Sequence, residues 1–327
     1  RLLTYLGKIS FSVYLLHFIV LEIVSNLFFG QIPHVLLILI VLLLTITLSH
    51  FSYRYVELPA IRIGKKLASK ATSYHILVAF VLILGMINVF YKLGDSTTYI
   101  NSVDEARQGI SAYEMLTNGN YFVNFIQGQV DYWNLKPILG TWFIWLGYKL
   151  FGLNLWGLRL FSALFALLTI SVVMWTARLT IGRIASIIAG LALVTNAQWI
   201  TYHSARTGDY DSFFVLIYAL VIACLLLWDK FPRLKYIVGL LLALGFLSKS
   251  WHVGTLIITL FIAVSATRKY RQCSWKVFVI NLLGLVVPLL SWGIARYSYD
   301  GWTFIRTMID YDLLHRSGTA LEGWNQH

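Results

Sequence analysis

Nine apolar runs, most of them 16 to 21 residues long, constrain the fold of this chain more than any other feature. A helix needs about 20 apolar residues to cross the hydrocarbon core of a bilayer, with a range of roughly 17–25. Only 12% of the 327 residues are charged, whereas a soluble domain has roughly 25%. The sequence therefore predicts an all-α fold, a polytopic membrane bundle of about nine spans. The predicted spans are residues 12–29, 35–50, 75–91, 157–177, 184–200, 213–228, 236–247, 253–266 and 277–295.

A tenth apolar run, residues 138–151, decides the predicted orientation. If this run does not cross, the loops that carry most of the Lys and Arg residues all lie on one side. The positive-inside rule makes that side the cytoplasm. The run contains Trp142, Trp145 and Tyr148, which are residue types that suit a membrane interface. We therefore predict an interfacial helix within a large first outer loop.

With this topology, most of the acidic residues outside the basic loops face the outer side. They lie in the segments 92–137, 201–211, 248–252 and 296–327. Acidic side chains gathered on one side of an apolar slab indicate a site on that face. The formal net charge of +12 is divided among short loops, as expected for positive-inside topology, so it does not indicate a nucleic-acid partner.

Several classes of site are missing from the sequence. It contains no Gly-rich nucleotide loop of the P-loop or Rossmann type, which argues against a nucleotide-sugar donor and against ATP-driven transport. No two His residues have the zinc-hydrolase spacing, and Cys224 and Cys273 form neither a disulfide framework nor a metal motif. The chain opens at Arg1 within a helix-like pattern, so we expect it to be a piece of a longer protein.

Two segments near the start resemble the C-terminal end of the membrane acyltransferase family that modifies O-antigens and other exopolysaccharides. They are LGKISFSVYLLH at residues 6–17 and FSYRYVELP at residues 51–59. The resemblance implies that residues 1–70 form the last two spans of an acyltransferase-like module. The catalytic His of that family lies in a part with no counterpart here. We therefore assign His17 to a polar contact inside the bundle and not to catalysis.

Four later segments resemble the GT-C glycosyltransferases that use polyprenyl-phosphate sugars. They are DEAR at residues 104–107, KPIL at 136–139, ARTGDYD at 205–211 and GFLSK at 245–249. Within that group, the nearest branch contains the aminoarabinose transferases and the protein O-mannosyltransferases. The resemblance implies a seven-span core with an acidic first outer loop in residues 71–327, a module that is incomplete at its C-terminal end.

Transfer of a sugar from a lipid phosphate to a hydroxyl needs a base for the acceptor proton, cations for the leaving phosphate and an apolar groove for the lipid. The resemblance implies that Asp104 is the catalytic base, with Glu105 and Asp211 as further catalytic candidates. Local sequence offers structural explanations as well. Ser102-x-x-Glu105 has the pattern of a helix capping box, and Asp211 stands where a helix N-cap would.

Lys136, Lys249 and Arg206 are the candidate ligands of the donor phosphate, because each is a cation in or beside an outer segment. The alternative for Lys136 and Lys249 is to reach toward lipid head groups, and the alternative for Arg206 is to pair with a neighbouring acid. Arg159 lies early in a span, where a charge is costly. We therefore expect Arg159 to have a partner.

Asp209 and His315 are the candidate substrate-side residues. His315 belongs to the stretch DLLHR at residues 312–316, which resembles the last ordered outer-loop element of the glycosyltransferase family. The Asp209-x-Asp211 spacing would suit a divalent cation, but such a pair is common by chance. We therefore predict no metal site. The cofactor stays open, with a divalent cation as one alternative that the sequence does not require.

The leading hypothesis is a multi-pass glycosyltransferase of the bacterial inner membrane with its active site on the periplasmic side. Its expected partners are a polyprenyl-phosphate sugar donor, membrane lipids and a hydroxyl acceptor on a lipid, glycan or protein. One alternative is an acyltransferase of surface polysaccharide that the second module only supports. A second alternative is a transporter of lipid-linked sugars, which would show inverted repeats and midplane charges; the sequence shows no internal repeat.

Overall fold

The computed structural model describes residues 2–28, 33–62, 71–95, 100 and 102–315. The chain divides into two compact units, Arg1–Ile76 and Leu77–His327. Helices dominate the described residues of both units, and a short antiparallel hairpin pairs β1 (Phe125–Ile126) with β2 (Gln129–Val130). The predicted all-α, multi-helix architecture is confirmed.

The first unit is a pair of long apolar helices, α1 (Leu2–Phe28) and α2 (His34–Ser52), and α2 continues into a π-helical turn. The buried Ser12 hydroxyl donates to Glu57 Oε2 over 2.9 Å. This bond joins the two segments that resemble the acyltransferase family. His17 Nδ1 lies 2.7 Å from the carbonyl oxygen of Tyr14, one turn earlier in the same helix; the expected polar contact of His17 inside the bundle stays a prediction.

The remaining α-helices lie in the second unit, except that the first turns of α3 belong to the first unit. In chain order they are α3 (Ala71–Phe90), α4 (Val103–Asn118), α5 (Leu139–Phe151), α6 (Leu155–Thr180), α7 (Arg183–Val194), α8 (Ala197–Thr201), α9 (Asp211–Leu227), α10 (Val238–Lys249), α11 (Val253–Ala266), α12 (Trp275–Asp300) and α13 (Thr303–Thr307). A π-helical segment, Met308–His315, follows α13.

Polar contacts at the helix ends show that α9, α10 and α11 alternate in direction. The ion pair between Asp211 and Lys249 joins the start of α9 to the end of α10. Lys269, just beyond α11, donates to the carbonyl of Leu225 near the end of α9 over 2.8 Å. Hence α10 and α11 are antiparallel, and the 3-10 turn Ser250–His252 connects them.

The same alternation includes the earlier helices. Asn88 near the end of α3 donates to the carbonyl of Val194 at the end of α7 over 2.8 Å. Ser162 near the start of α6 donates to the carbonyl of Asp209, just before α9, over 3.1 Å. The starts of α6 and α9 and the end of α10 therefore meet at one end of the second unit, which we call the site pole.

The opposite end of the second unit is basic, and we call it the basic pole. Asn281 near the start of α12 accepts from Gly239 N at the start of α10 over 2.7 Å and donates to the carbonyl of Lys235 over 2.7 Å. Lys269 pairs there with Asp229 beyond the end of α9. The basic loop residues Arg233, Lys235, Lys269 and Arg271 therefore lie toward this end, opposite the site pole.

Six helical stretches among the described residues are long and apolar enough to cross a membrane. They are Gly7–Ser25, Val35–Arg62, Ser73–Phe90, Leu155–Thr180, Val238–Ala266 and Trp275–Asp300. The fifth stretch contains the antiparallel helices α10 and α11, and the apolar helices α7 and α9 are shorter. The count of nine spans therefore stays a prediction, while the multi-helix membrane architecture is clear.

The helix α5, predicted to lie at the interface, packs closely against α6. A Cβ added to Gly147 would lie 2.1 Å from the carbonyl oxygen of Gly157, so the two backbones meet through glycines. Phe143 of the same helix packs edge-on against Phe165 of α6, with ring centroids 4.8 Å apart. The depth of α5 in a membrane remains a prediction, but its packing fixes the loop that precedes it.

Replacing Gly147 by Ala should destabilise the folded protein by about 1–3 kcal/mol, because overpacking a close backbone contact forces the helices apart. The midpoint of thermal unfolding in detergent measures this loss. Gly254→Ala is the matched control, since a Cβ there meets nothing within 4 Å. Equal midpoints for the two variants would contradict the close approach of α5 and α6.

Candidate active site

A buried ion pair anchors the site pole. Arg159 at the start of α6 donates through Nε to Glu105 Oε1 over 2.6 Å and through Nη2 to Oε2 over 3.0 Å. The backbone N–H of Gly208 donates to the same Glu105 Oε1 over 2.9 Å. Three elements, α4, α6 and the loop before α9, are therefore tied together by one carboxylate.

This geometry argues against the predicted catalytic role of Glu105. Its side chain has no exposed surface and both of its oxygens accept hydrogen bonds, so it cannot reach a substrate. The capping-box pattern is half realised, because the Ser102 hydroxyl accepts from Glu105 N over 2.9 Å while the Glu105 side chain turns to Arg159. The expected partner of Arg159 is confirmed.

Two further carboxylates at the site pole form ion pairs with basic side chains. Asp104 in the first turn of α4 pairs with Arg107 one turn later, and Asp211 at the start of α9 pairs with Lys249. The side chain of Asp104 is 42% exposed and that of Asp211 is 32% exposed. Both carboxylates can therefore meet a ligand that approaches the site pole.

Lys136 lies among these charges. Burial lowers its pKa most, and the neighbouring cations Lys249 and Arg107 lower it further, while Asp104 and Asp211 raise it. The charges of all four neighbours therefore act on the Lys136 ammonium. The structure brings the predicted base Asp104, the predicted phosphate ligands Lys136 and Lys249, and Asp211 into one cluster.

A polar network beneath Lys136 fixes the loop that carries it. Asn124 donates to the carbonyl of Lys136 over 3.5 Å and accepts from Thr141 over 2.8 Å. The Thr141 hydroxyl also lies 2.6 Å from the buried hydroxyl of Tyr210. Tyr210 precedes Asp211, so the network links the loop of Lys136 to the start of α9.

Asp209 is buried below the cluster. Its side chain is 1% exposed, and its Oδ2 lies 3.0 Å from His203 Nδ1. Burial raises the pKa of Asp209 most, the charge of His203 opposes that shift, and the nearby carboxylates of Asp211 and Asp104 add to it. This position argues against the predicted direct contact of Asp209 with substrate.

Arg206 lies on another side of the same loop. It donates through Nη1 to the carbonyl of Asn88 in α3 over 2.8 Å. Burial lowers its pKa most, followed by the charge of Arg159. This placement favours a structural role at the end of α3 over the predicted phosphate contact.

Residues beyond α12 also reach the site pole. His315 is exposed at the end of Met308–His315, with its ring stacked on that of Tyr311 at a centroid distance of 5.3 Å. Three residues earlier, Asp312 accepts from the Ser250 hydroxyl over 2.9 Å. The substrate-side role of His315 stays a prediction, and residues 316–327 lie outside the described part of the chain.

One residue near the cluster had no predicted role. His252 Nδ1 lies 2.9 Å from the carbonyl of Lys249, and because a carbonyl oxygen only accepts, this nitrogen is the donor. Burial lowers the pKa of His252 most, and the charge of Lys249 lowers it further. No motif in the sequence of the turn between α10 and α11 had pointed to a role for His252.

Among the described residues, no group of three or more His, Cys, Asp or Glu side chains is placed to hold an ion. Asp209 and Asp211 turn to different partners, His203 and Lys249. The two acids of the Asp-x-Asp pattern therefore have separate structural surroundings.

The chain is similar in sequence to several known proteins. Residues 135–292 match the family model described as dolichyl-phosphate-mannose-protein mannosyltransferase. An undecaprenyl phosphate-alpha-4-amino-4-deoxy-L-arabinose arabinosyl transferase from Pseudomonas fluorescens is 25% identical over 236 residues, which are 69% of this chain and 42% of the relative. An uncharacterized protein from Aquifex aeolicus is 36% identical over 89 residues, 27% of this chain and 17% of that protein. The chain thus spans less than half the length of these relatives.

Two crystal structures of ArnT from Cupriavidus metallidurans are similar in fold. The apo structure has a TM-score of 0.60 at 21% identity, covering 74% of this chain and 44% of ArnT. The structure bound to undecaprenyl phosphate has a TM-score of 0.60 at 22% identity, covering 73% and 44%. The chain is therefore a multi-pass membrane protein that over about three quarters of its length shares the fold of part of ArnT, and its central part matches the dolichyl-phosphate-mannose-protein mannosyltransferase family.

Proposed function

We propose that this chain is part of a membrane glycosyltransferase that moves a sugar from a polyprenyl-phosphate donor to a hydroxyl acceptor. The cluster of Lys136, Lys249, Asp104 and Asp211 at the end of an apolar bundle carries this proposal. Two lysines supply positive charge for a phosphate, the carboxylates can accept a proton, and the apolar helices suit a polyprenyl chain. The Pseudomonas relative is a transferase of undecaprenyl phosphate-linked aminoarabinose, and one of the two ArnT structures is bound to undecaprenyl phosphate. Both similarities support the same class of donor.

The proposed reaction is a single displacement with inversion. The acceptor oxygen attacks C1 of the sugar while Asp104 takes the hydroxyl proton as general base. The bond between C1 and the phosphate oxygen breaks, and its electron pair leaves with the lipid phosphate. Lys136 and Lys249 stabilise the charge that develops on that phosphate, and Asp211 holds Lys249 in place through their ion pair.

We place the site pole on the periplasmic side of the bacterial inner membrane. The basic pole, with Lys235 and Lys269, would then face the cytoplasm, as the positive-inside rule requires. A donor whose lipid tail lies in the bilayer could present its phosphate to the lysines at the outer interface. The acceptor, a lipid, glycan or protein, would approach from the periplasm.

For the first unit, we propose the last two spans of an acyltransferase-like module. The contact between Ser12 and Glu57 supports this proposal, because it joins the two segments that resemble that family. Adjacent modules of these two kinds suggest that one surface glycan is both glycosylated and acylated. Finding the two modules on separate chains in the native protein would remove the basis for this link.

Binding of lipid phosphate to the purified protein in nanodiscs tests the phosphate site. We expect undecaprenyl phosphate to bind and the neutral alcohol undecaprenol, with the same tail, to bind more weakly. Substitution of Lys136 by Ala should remove most of this difference, while Lys230→Ala at an exposed position near the basic pole should preserve it. Equal binding of the phosphate and the alcohol by wild type would contradict the site.

The affinity for undecaprenyl phosphate should fall as the pH rises through the pKa of Lys136. Because burial lowers that pKa, Lys136 loses its charge at lower pH than an ordinary lysine and its phosphate contact weakens there. Lys136→Arg keeps the charge over this range, since the guanidinium stays protonated. A titration of affinity against pH should therefore show an earlier decline for wild type than for Lys136→Arg, and coincident curves would contradict the assignment.

A further inference from the structure

Ser250 has a backbone conformation that is unusual for a residue with a side chain. Its φ is +53° and its ψ is −129°, a region that glycine adopts readily and that costs other residues free energy. It directly follows Lys249 and opens the turn between α10 and α11. Such strain persists only where surrounding contacts hold it, so the contacts of Ser250 indicate what the turn is built to hold.

The buried Ser250 hydroxyl makes two hydrogen bonds. Its Oγ accepts from Trp251 N over 2.6 Å and donates to Asp312 Oδ2 over 2.9 Å. The next side chain adds a second attachment, because Trp251 Nε1 donates to the carbonyl of Met308 over 3.2 Å. The turn is therefore fastened at two points to the segment Met308–His315.

The same region packs beside the other lysine of the site. Leu135, Phe304 and Met308 form a buried apolar cluster against which Trp251 packs. Leu135 immediately precedes Lys136. The segment after α12 therefore contacts residues adjacent to both Lys136 and Lys249.

We propose that the hydrogen bond between Ser250 and Asp312 orients Lys249 toward the donor phosphate, so that Ser250 and Asp312 are positioning residues. This inference rests on the proposed function. Lys249 is the last residue of α10, and its own backbone has left helical geometry, with φ −134° and ψ 22°. The turn that Ser250 opens therefore holds the backbone from which the Lys249 side chain projects. With the Ser250 hydroxyl held by Asp312, the turn stays in the strained conformation in which Lys249 meets Asp211.

Binding of undecaprenyl phosphate to nanodisc-embedded variants tests this role. Ser250→Ala and Asp312→Ala should each weaken binding roughly three- to tenfold, the equilibrium effect of one net hydrogen bond. Asp312→Asn should stay close to wild type, because its amide oxygen still accepts from Ser250. Ser250→Gly should unfold at or above the wild-type temperature, since glycine relieves the strain, and yet bind weakly. If the affinities instead follow the unfolding temperatures, the positioning role is wrong.

A second readout needs no lipid. The rate at which an amine-reactive reagent modifies Lys249, followed by peptide mass spectrometry with exposed Lys230 as reference, should rise in Ser250→Ala and Asp312→Ala. An unchanged rate would overturn the proposal. A third outcome combines a raised modification rate in the two variants with no binding of undecaprenyl phosphate by the wild type. In that case the Ser250–Asp312 contact orients Lys249, but the phosphate role of Lys249 and the proposed function are wrong.

Discussion

Replacing Asp104 by Asn is expected to lower the rate of sugar transfer by about 100-fold or more, because a positioned general base contributes roughly 10²–10⁴ in rate. Asp104 is the most exposed carboxylate of the cluster, at 42% against 32% for Asp211 and 1% for Asp209. An acceptor hydroxyl can therefore reach Asp104 most easily. The initial rate of polyprenyl phosphate release, at saturating donor and acceptor, measures the effect.

Glu114→Gln is the matched control on the same helix. Glu114 accepts from Gly128 N through both carboxylate oxygens, at 3.2 and 3.0 Å, and Gln keeps one such acceptor. We expect this variant to retain the wild-type rate. A folded Asp104→Asn protein with the full rate would exclude Asp104 as the base and would make Asp211 the next carboxylate to test.

Replacing Arg159 by Met is expected to destabilise the protein by about 3–5 kcal/mol, because it leaves the Glu105 carboxylate buried without its counter-ion. Both side chains are almost inaccessible, at 4% exposure for Arg159 and 0% for Glu105. The loss should appear as a lower midpoint of thermal unfolding in detergent. The double variant with Glu105→Leu should recover much of the loss, since apolar replacements of a buried ion pair are often tolerated.

The ion pair of Lys269 with Asp229 provides the comparison, because Asp229 is 56% exposed. Asp229→Asn should cost only about 0–1 kcal/mol, the range for solvent-exposed pairs. If Arg159→Met and Asp229→Asn shift the midpoint equally, the buried pair does not anchor the site pole. A double variant less stable than Arg159→Met would contradict the explanation by an uncompensated charge.

The helices were predictable from the sequence because the length of an apolar run and the charges that flank it can be read from consecutive residues. The predicted run 253–266 coincides with α11 (Val253–Ala266), and the predicted run 213–228 differs from α9 by no more than two residues at either end. The close packing of α5 against α6 was not predictable, since it depends on Gly147 meeting Gly157 across two helices. Periodicity within one helix does not report such a contact.

The site was predictable only in part. The segments that resemble the glycosyltransferases contain Asp104, Lys136 and Lys249, and each of these residues stands at a helix end or in a loop of the site pole; their roles stay predictions. Adjacent residues have different surroundings: Glu105 is buried and pairs with Arg159, whereas Asp104 beside it is exposed. Which of two adjacent acids is buried depends on the facing helix, and local sequence does not contain that information.

The most direct test of the proposed function is to supply the purified protein in nanodiscs with a polyprenyl-phosphate sugar and candidate acceptors, and to measure free polyprenyl phosphate together with glycosylated acceptor. The proposal predicts that the two products form in equal amounts and only when an acceptor is present. Transfer of acyl groups with no release of polyprenyl phosphate would contradict it and would favour the acyltransferase alternative. Movement of the intact donor across the membrane with no product would contradict it in favour of a transporter.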